Sequence, residues 1–569
     1  MTIGADERNT RIYAIYVISV LAFFLLSYLI PLGARPLAAP DETRYAEIPR
    51  EMIDGRDWTV PRLNGVRYFE KPPLGYWAGA CSILVLGENN FAVRFPSALF
   101  TGLSALALYL AVLKSCRRTC DESGGVKAVS AAFVFLSCFE VFSVGNIAVL
   151  DAIFSFFVTA AVLAFFIASE EGHGSSREKF FMAMAGAFCG LAFLTKGFVA
   201  FVVPILSLCA FLAWEGRRGD ILRMGWIPLL AAALVALPWS VLIHLREPDF
   251  WKFFFWNEHI RRFVAENAQH KEPFYFFFAA AFATFFPWTL ALPAALAGIR
   301  EEVRARSMRG RLVRLSICWF ILPFLFFSLC NGKLLTYILP CFPPFAIIVS
   351  LGLANTLEKN GKSTLFDTGA ACSAVISAIL SAVFLYVQIL GYNGHRIYEH
   401  MFDTAAVSAG LLFLTVFFVL SMASRNAWNK IALYAAAPLL FFFAIHYTIP
   451  DTVIQTTSPG VVLQHYMGKS DKSDIIIADG DSAAAACWYL RRDDVFVLGP
   501  PGELDYGLGR DDSCSRSVDE KAAADIIRKN RGKVLLMATD DNIRRWYGSL
   551  PRPLPAAGES NAGYAVFRY

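Results

Sequence analysis

Charge is scarce in this chain: 17% of its 569 residues are Asp, Glu, Lys or Arg, against 56% hydrophobic residues and a mean hydropathy of +0.48. So little charge excludes a water-soluble globule of this length, and most of the chain must sit in lipid. The net charge of +5 is small and suits loops that orient membrane helices better than a nucleic-acid surface, so no nucleic-acid partner is expected. Paired cysteines are lacking as well. Cys138, Cys189, Cys209 and Cys318 lie inside apolar runs without metal or disulfide spacing and read as small buried hydrophobes. Cys487 and Cys514 alone fall in a soluble tail, where a disulfide is open if that tail is exported. No small-residue cleavage site follows the first apolar run, which is therefore expected to stay as an uncleaved span.

Long apolar runs are what the chain does have. A helix needs roughly 20 mainly apolar residues to cross the hydrocarbon core. Runs near 12–30, 91–113, 128–144, 147–168, 180–194, 198–214, 226–243 and 276–299 qualify, with further ones near 315–329, 337–357, 368–390, 404–422 and 431–447. That predicts an α-helical polytopic membrane protein with about 13 transmembrane helices. Lys and Arg accumulate on the cytoplasmic side of membranes, and one set of alternate loops collects them: Lys114, Arg117 and Arg118, then Arg177 and Lys179, Arg217 to Arg223, Arg300 to Arg314, Lys359 and Lys362, Arg425 and Lys430. The loops 31–90, 246–273 and 331–336, and everything after Pro450, are then expected on the opposite, periplasmic face. Residues 1–449 read as the membrane domain. Residues 450–569 change to short β-branched runs alternating with helical stretches, a small α/β domain without a Gly-rich phosphate loop or metal-ligand spacing, and it reads as a lid or docking module.

Polar residues concentrate in the first external loop, which opens on PDETRY at 40–45 and closes on YFEKPP at 68–73. Within it Tyr45, Ile48 and Met52 fall at helical spacing opposite Arg44, Glu47, Arg50 and Glu51, the pattern of an amphipathic helix lying in the interface over a lipid-facing cavity. A solvated loop with ordinary surface charges is the plainer alternative. Asp151 begins one span and Lys196 ends another, each without a sequence-adjacent partner. The loop 246–273 carries WNEHIRRF at 256–263, and the loop 331–339 carries Lys333 and Tyr337. Lys71, Arg262 and Lys333 on one face would suit a lipid phosphate, and Glu70 with His259 would suit a divalent ion such as zinc.

The segments PDETRYAEIPREM (40–52), RYFEKPPLGYW (67–77), AVLDAIF (148–154), LTKGFVAF (194–201), REPDFWKFFFWNEHIRRF (246–263) and GKLLTYILP (332–340), with RRDDVFV (491–497) and GELDYGL (502–508) in the tail, resemble the lipid A aminoarabinose transferases, a branch of the membrane-embedded GT-C glycosyltransferases related to the protein O-mannosyltransferases. The acidic pair at 41–42 is common to the superfamily, whereas the FEKP, NEH and YILP set is far more specific. Pro73 departs from the motif without touching its functional positions. The resemblance implies inverting transfer of 4-amino-4-deoxy-L-arabinose from undecaprenyl phosphate to lipid A phosphates at the periplasmic face of the bacterial inner membrane. An added amine cancels surface charge there and so protects against polymyxin and other cationic peptides. It implies that Asp41 is the catalytic acidic residue, that Glu70 and His259 hold the metal, and that Tyr68, Lys71, Arg262 and Tyr337 form the carrier-phosphate pocket. Asp151, a second catalytic candidate, Lys333 on the phosphate, and Glu42, Arg44 and Lys196 complete the set. Another polyprenyl-phosphate-dependent transferase shares most of these motifs. A flippase is the rival of a different class, and the clustering of charge on one face and the absence of an obvious repeat speak against it.

Overall fold

A computed structural model describes residues 3–261, 271–360, 363–391, 396–464, 466–467, 471, 473–554, 558–561 and 563–569. Among these residues nine helices are long and apolar enough to cross a membrane, and eleven if each of two sharply bent pairs counts as one span. The bent pairs are 124–136 with 139–145, at 69°, and 276–284 with 288–304, at 94°. Two further expected spans, near 12–30 and 198–214, are shorter apolar helices, Tyr13–Leu29 and Val199–Trp214.

The chain begins with α1 (Ile3–Phe24), then α2 (Asp41–Asp54), whose charged Arg44, Glu47, Arg50 and Glu51 are buried in protein instead of forming the expected polar face of an interfacial helix, and α3 (Leu74–Leu86), followed by α4 (Asn90–Arg117), α5 (Gly124–Leu136), α6 (Phe139–Gly145), α7 (Asp151–Ser169), α8 (Ser176–Lys196), α9 (Val199–Trp214) and α10 (Gly219–Arg246). The helix α2 begins on two acidic residues, Asp41 and Glu42, which complement the positive end of its dipole, and ends at Gly55, whose N–H closes on Glu51 O at 2.9 Å. A close approach sets α3 against it. A Cβ on Gly79 would stand 2.9 Å from Pro49 of α2, and one on Gly75, four residues earlier, 2.1 Å from Leu150 before α7. Between α2 and α3 a short hairpin, β1 (Arg62–Leu63) and β2 (Val66–Arg67), turns through Asn64-Gly65, both with positive φ, as a two-residue loop of this kind requires.

The basic loops that the sequence assigns to one face are bound to one another. Arg309 pairs with Asp121 and Glu302, Arg311 with Glu170, Arg314 with Glu215, Lys127 with Glu358 at 2.9 Å, and Arg223 with Glu178 at 2.8 Å. At the other face the loops 31–90 and 246–261 are joined by Arg67 to Glu247 at 2.8 Å and by Arg246 to Asp57 at 2.7 Å.

Past Pro450 the chain forms a six-stranded sheet ordered β5-β4-β3-β6-β8-β7: β3 (Ile475–Ala478), β4 (Phe496–Leu498), β5 (Ser517–Val518) and β6 (Val534–Thr539) run parallel, and β8 (Tyr564–Arg568) and β7 (Gly558–Ser560) close one side antiparallel. Its core is continuous with the first external loop, since Ile48, Leu63, Val66 and Tyr68 pack in one buried cluster with Ile476, Leu490, Val495 and Leu508. Asn64 fastens the contact: its side chain donates to Val495 O at 2.8 Å and accepts from Val495 N at 2.9 Å. Cys487 is a buried free thiol donating to Asn64 Oδ1 at 3.4 Å and Cys514 an exposed one, so the two are not joined.

Candidate active site

The polar segments of the sequence converge where α2, the end of the first external loop, the start of α7, the end of α8 and the 3-10 turn Leu335–Cys341 meet. Asp41 stands at the first turn of α2 with its side chain 62% exposed, held from one side by Arg44. Arg44 is buried, stacked 4.9 Å from the Tyr45 ring, and also pairs with Glu503 of the C-terminal domain. Tyr68 is buried and donates its hydroxyl to Glu503 at 3.0 Å. Burial alone would raise the Glu503 carboxyl; the Arg44 guanidinium and the Tyr68 hydroxyl outweigh it and hold the group below the usual carboxylate range.

Lys71 reaches back into the same region. Its ammonium donates to Glu70 O at 3.0 Å and to Glu258 Oε2 at 3.1 Å, with Glu70 Oε2 at 3.9 Å. Glu258, on the π-helical turn Lys252–Arg261, is a site residue that the sequence reading passed over. It lies within WNEH, one residue from the histidine that drew attention. Asp151 and Lys196, unpartnered in the linear sequence, meet: Lys196 Nζ donates to Asp151 Oδ1 at 2.7 Å and lies 5.5 Å from the Tyr337 ring and 5.9 Å from that of Phe154. Burial raises the Tyr45 hydroxyl above its ordinary value; the Arg44 guanidinium opposes that, and the Asp41, Glu503 and Asp151 carboxylates add to it.

Two candidates have other work. Glu42, expected as a supporting site residue, lies in a buried clasp, accepting from Arg94 Nε at 2.7 Å, Arg35 Nη1 at 2.7 Å and the backbone of Ala38 and Ala148 at 2.9 and 3.0 Å. Burial would raise its carboxyl, and Arg94 with Arg35 overcomes that to hold it at about 2. Lys333, expected on the donor phosphate, is buried with its ammonium given to Glu272 O at 2.7 Å and to Cys330 O, where it pins the chain at 271–272 to the end of a span. An ammonium satisfied by two carbonyls inside protein is a strut rather than an open anion site. The side chain of His259, and Arg262 altogether, lie outside the described residues.

Among the described residues no three His, Cys, Asp or Glu groups converge on one point, and Lys71 takes up the charge of Glu258 beside Glu70. What the site can do is hold a phosphate monoanion or diester with Lys71 near Tyr68 and present the open face of Asp41 to a second group.

A helical bundle with broken spans, capped by α2 and by an α/β domain packed on the first external loop, is the fold of the membrane-embedded GT-C transferases. A crystal structure of ArnT from Cupriavidus metallidurans bound to undecaprenyl phosphate superposes with a TM-score of 0.81 at 21% identity, covering 97% of both chains. Residues 13–254 match the dolichyl-phosphate-mannose-protein mannosyltransferases, and residues 454–565 the arabinosyl transferase ArnT C-terminal domain. Two relatives named undecaprenyl phosphate-α-4-amino-4-deoxy-L-arabinose arabinosyl transferase are alike over almost the whole length. That of Shewanella sediminis is 36% identical over 93% of this chain and 94% of its own, and that of Aeromonas hydrophila subsp. hydrophila 38% identical over 91% and 93%. The chain belongs to this family of arabinosyl transferases.

Proposed function

We propose that the protein transfers 4-amino-4-deoxy-L-arabinose from undecaprenyl phosphate to phosphate groups of lipid A, with inversion at the sugar carbon. The observation that carries this reading is the meeting of Lys71, Tyr68, Asp41 and the Asp151–Lys196 pair, drawn from four distant segments, at the roof of an apolar bundle. A polyprenyl phosphate needs its tail in lipid and its headgroup beside a cation, and this geometry supplies both. Departure of the carrier leaves growing negative charge on phosphate oxygens, which Lys71, Tyr337 and Arg262 are suited to stabilise as it develops.

The acceptor phosphate, with a second pKa near about 6, is largely ionised at neutral pH and hardly needs a base. Asp41 is accordingly assigned to the donor's ammonium group, by charge pairing across its exposed side. Asp41→Asn is expected to lose discrimination between the aminosugar donor and its N-acylated form at every pH. Recovery of turnover above about pH 6 would make it a base for the acceptor instead.

A divalent cation, zinc by ligand type, is proposed at Glu70 with His259. It would add Lewis acidity beside the phosphate; the residues above carry the account without it. The basic loops support a site on the periplasmic side of the bacterial inner membrane, and the proposed 13 spans require the two shorter apolar helices to cross as well. Lipid A modified in this way carries less negative charge and attracts polymyxin and similar cationic peptides less.

A further inference from the structure

The sequence reads the C-terminal domain as a lid, yet one of its side chains stands inside the polar site. The loop after β4 delivers Glu503 from the carboxyl end of the parallel strands, the edge at which open α/β sheets present their functional groups. Glu503 Oε2 accepts from Tyr68 at 3.0 Å and from Arg44 Nη1, while Arg44 Nη2 pairs with Asp41. The Arg44 side chain is 8% exposed, and the two carboxylates it joins are 34% and 62% exposed. Arg44 Nε has no partner among the described residues, so these two carboxylates take every hydrogen bond the guanidinium makes there.

We propose that Glu503 is a positioning residue for the transfer reaction, acting through Arg44 on Asp41, and that the C-terminal domain is thereby part of the active site. The proposal rests on Asp41 facing the donor's ammonium group. A guanidinium is a rigid planar fork. Fixing one of its arms on Glu503, with its face on the Tyr45 ring, dictates where the other arm meets Asp41. The same arrangement divides one positive charge between two carboxylates, so the trio keeps a net negative charge and Asp41 keeps its attraction for a cationic group. Without the Glu503 charge, Arg44 would give its whole charge to Asp41 and compete with the donor's ammonium.

The domain contact does not depend on Glu503. Asn64 with Val495, Arg516 Nη1 with Asn64 O at 2.8 Å, Arg67 with Asp512 at 2.6 Å and Arg50 with Arg492 O at 3.2 Å hold the domain on the loop by other means. Removal of one carboxylate charge can therefore be separated from undocking.

The test uses the full chain in lipid nanodiscs as wild type, Glu503→Gln and Glu503→Asp, assayed with undecaprenyl-phosphate aminoarabinose and with its N-formyl counterpart. Glu503→Gln, which keeps an acceptor for Tyr68 but no charge, is expected to lose roughly tenfold or more in kcat/KM for the aminosugar and much less for the N-formyl donor. Glu503→Asp is expected to recover most of that loss. Binding of undecaprenyl phosphate and the limited-proteolysis pattern should stay as in wild type. Equal losses on both donors, or wild-type turnover by Glu503→Gln, would overturn the relay. A wild type that makes no product from either donor would instead contradict the proposed function. The relay is then read from a cryo-electron microscopy map of Glu503→Gln, where an Asp41–Arg44 arrangement unchanged from wild type overturns it and a rotated one supports it.

Discussion

Lys71 is the residue on which the anion chemistry turns. It is a partly buried ammonium held by Glu258 and a backbone carbonyl at the edge of the site, so it contributes little to folding and much to a leaving phosphate. Lys71→Ala is expected to insert and melt like wild type while turnover falls about 100-fold or more, and near-normal turnover would remove Lys71 from the site. Glu42 is the opposite case. Its folded carboxyl titrates at about 2 against 4.5 unfolded, so its stabilisation is complete above 4.5 and is lost as pH falls toward about 2. Glu42→Gln leaves Arg94 and Arg35 buried without their counter-charge and should cost roughly 3–5 kcal/mol near neutral pH. Thermal melting at pH 7 and pH 3 checks both statements: the variant's deficit should narrow at the lower pH. Both acids of the DE pair looked alike in the sequence; burial beside Arg94, 52 residues away, is what separates their roles. That pairing is long-range and no spacing rule reports it.

At the scale of elements, the ends of α7 and α8 are joined by one ion pair, with side chains 11% and 15% exposed. Asp151→Asn alone should destabilise the bundle by roughly 3–5 kcal/mol, because it strands the Lys196 charge, whereas Asp151→Asn with Lys196→Met should restore the melting temperature and leave transfer lost. Parallel recovery of both would make the pair purely structural. The sequence shows charges at the ends of two apolar runs but cannot show that they meet, since helix ends are paired by packing and not by order. Apolar length made nine spans legible; the 69° and 94° breaks at 136–139 and 284–288 were not, because a bent pair has the same hydropathy as a straight helix. The hairpin at Asn64 was likewise unread, and it carries the domain contact. Asn64→Ala, which loses both bonds to Val495, should speed proteolysis of the C-terminal domain without unfolding the bundle.

For the whole molecule, charge beside long apolar runs drew attention to the segments of Asp41, Tyr68, Lys71, Asp151 and Lys196, whose contacts with Arg44, Glu503, Glu258 and one another only the fold reveals. The sequence assigns no role to Glu258, hidden next to a histidine, or to Glu503, although the GELDYGL segment at 502–508 is part of the family resemblance. Both contribute by position, which only the fold supplies. Basic loops laced together at one face and the polar site at the other give the protein a sidedness that the transfer reaction needs. The most direct test of the account is reconstitution in sealed proteoliposomes with undecaprenyl-phosphate aminoarabinose and lipid A supplied only to the face bearing the C-terminal domain. The account predicts aminoarabinose-modified lipid A from wild type and none from Lys71→Ala. Movement of the donor across the bilayer without modified lipid A would contradict it.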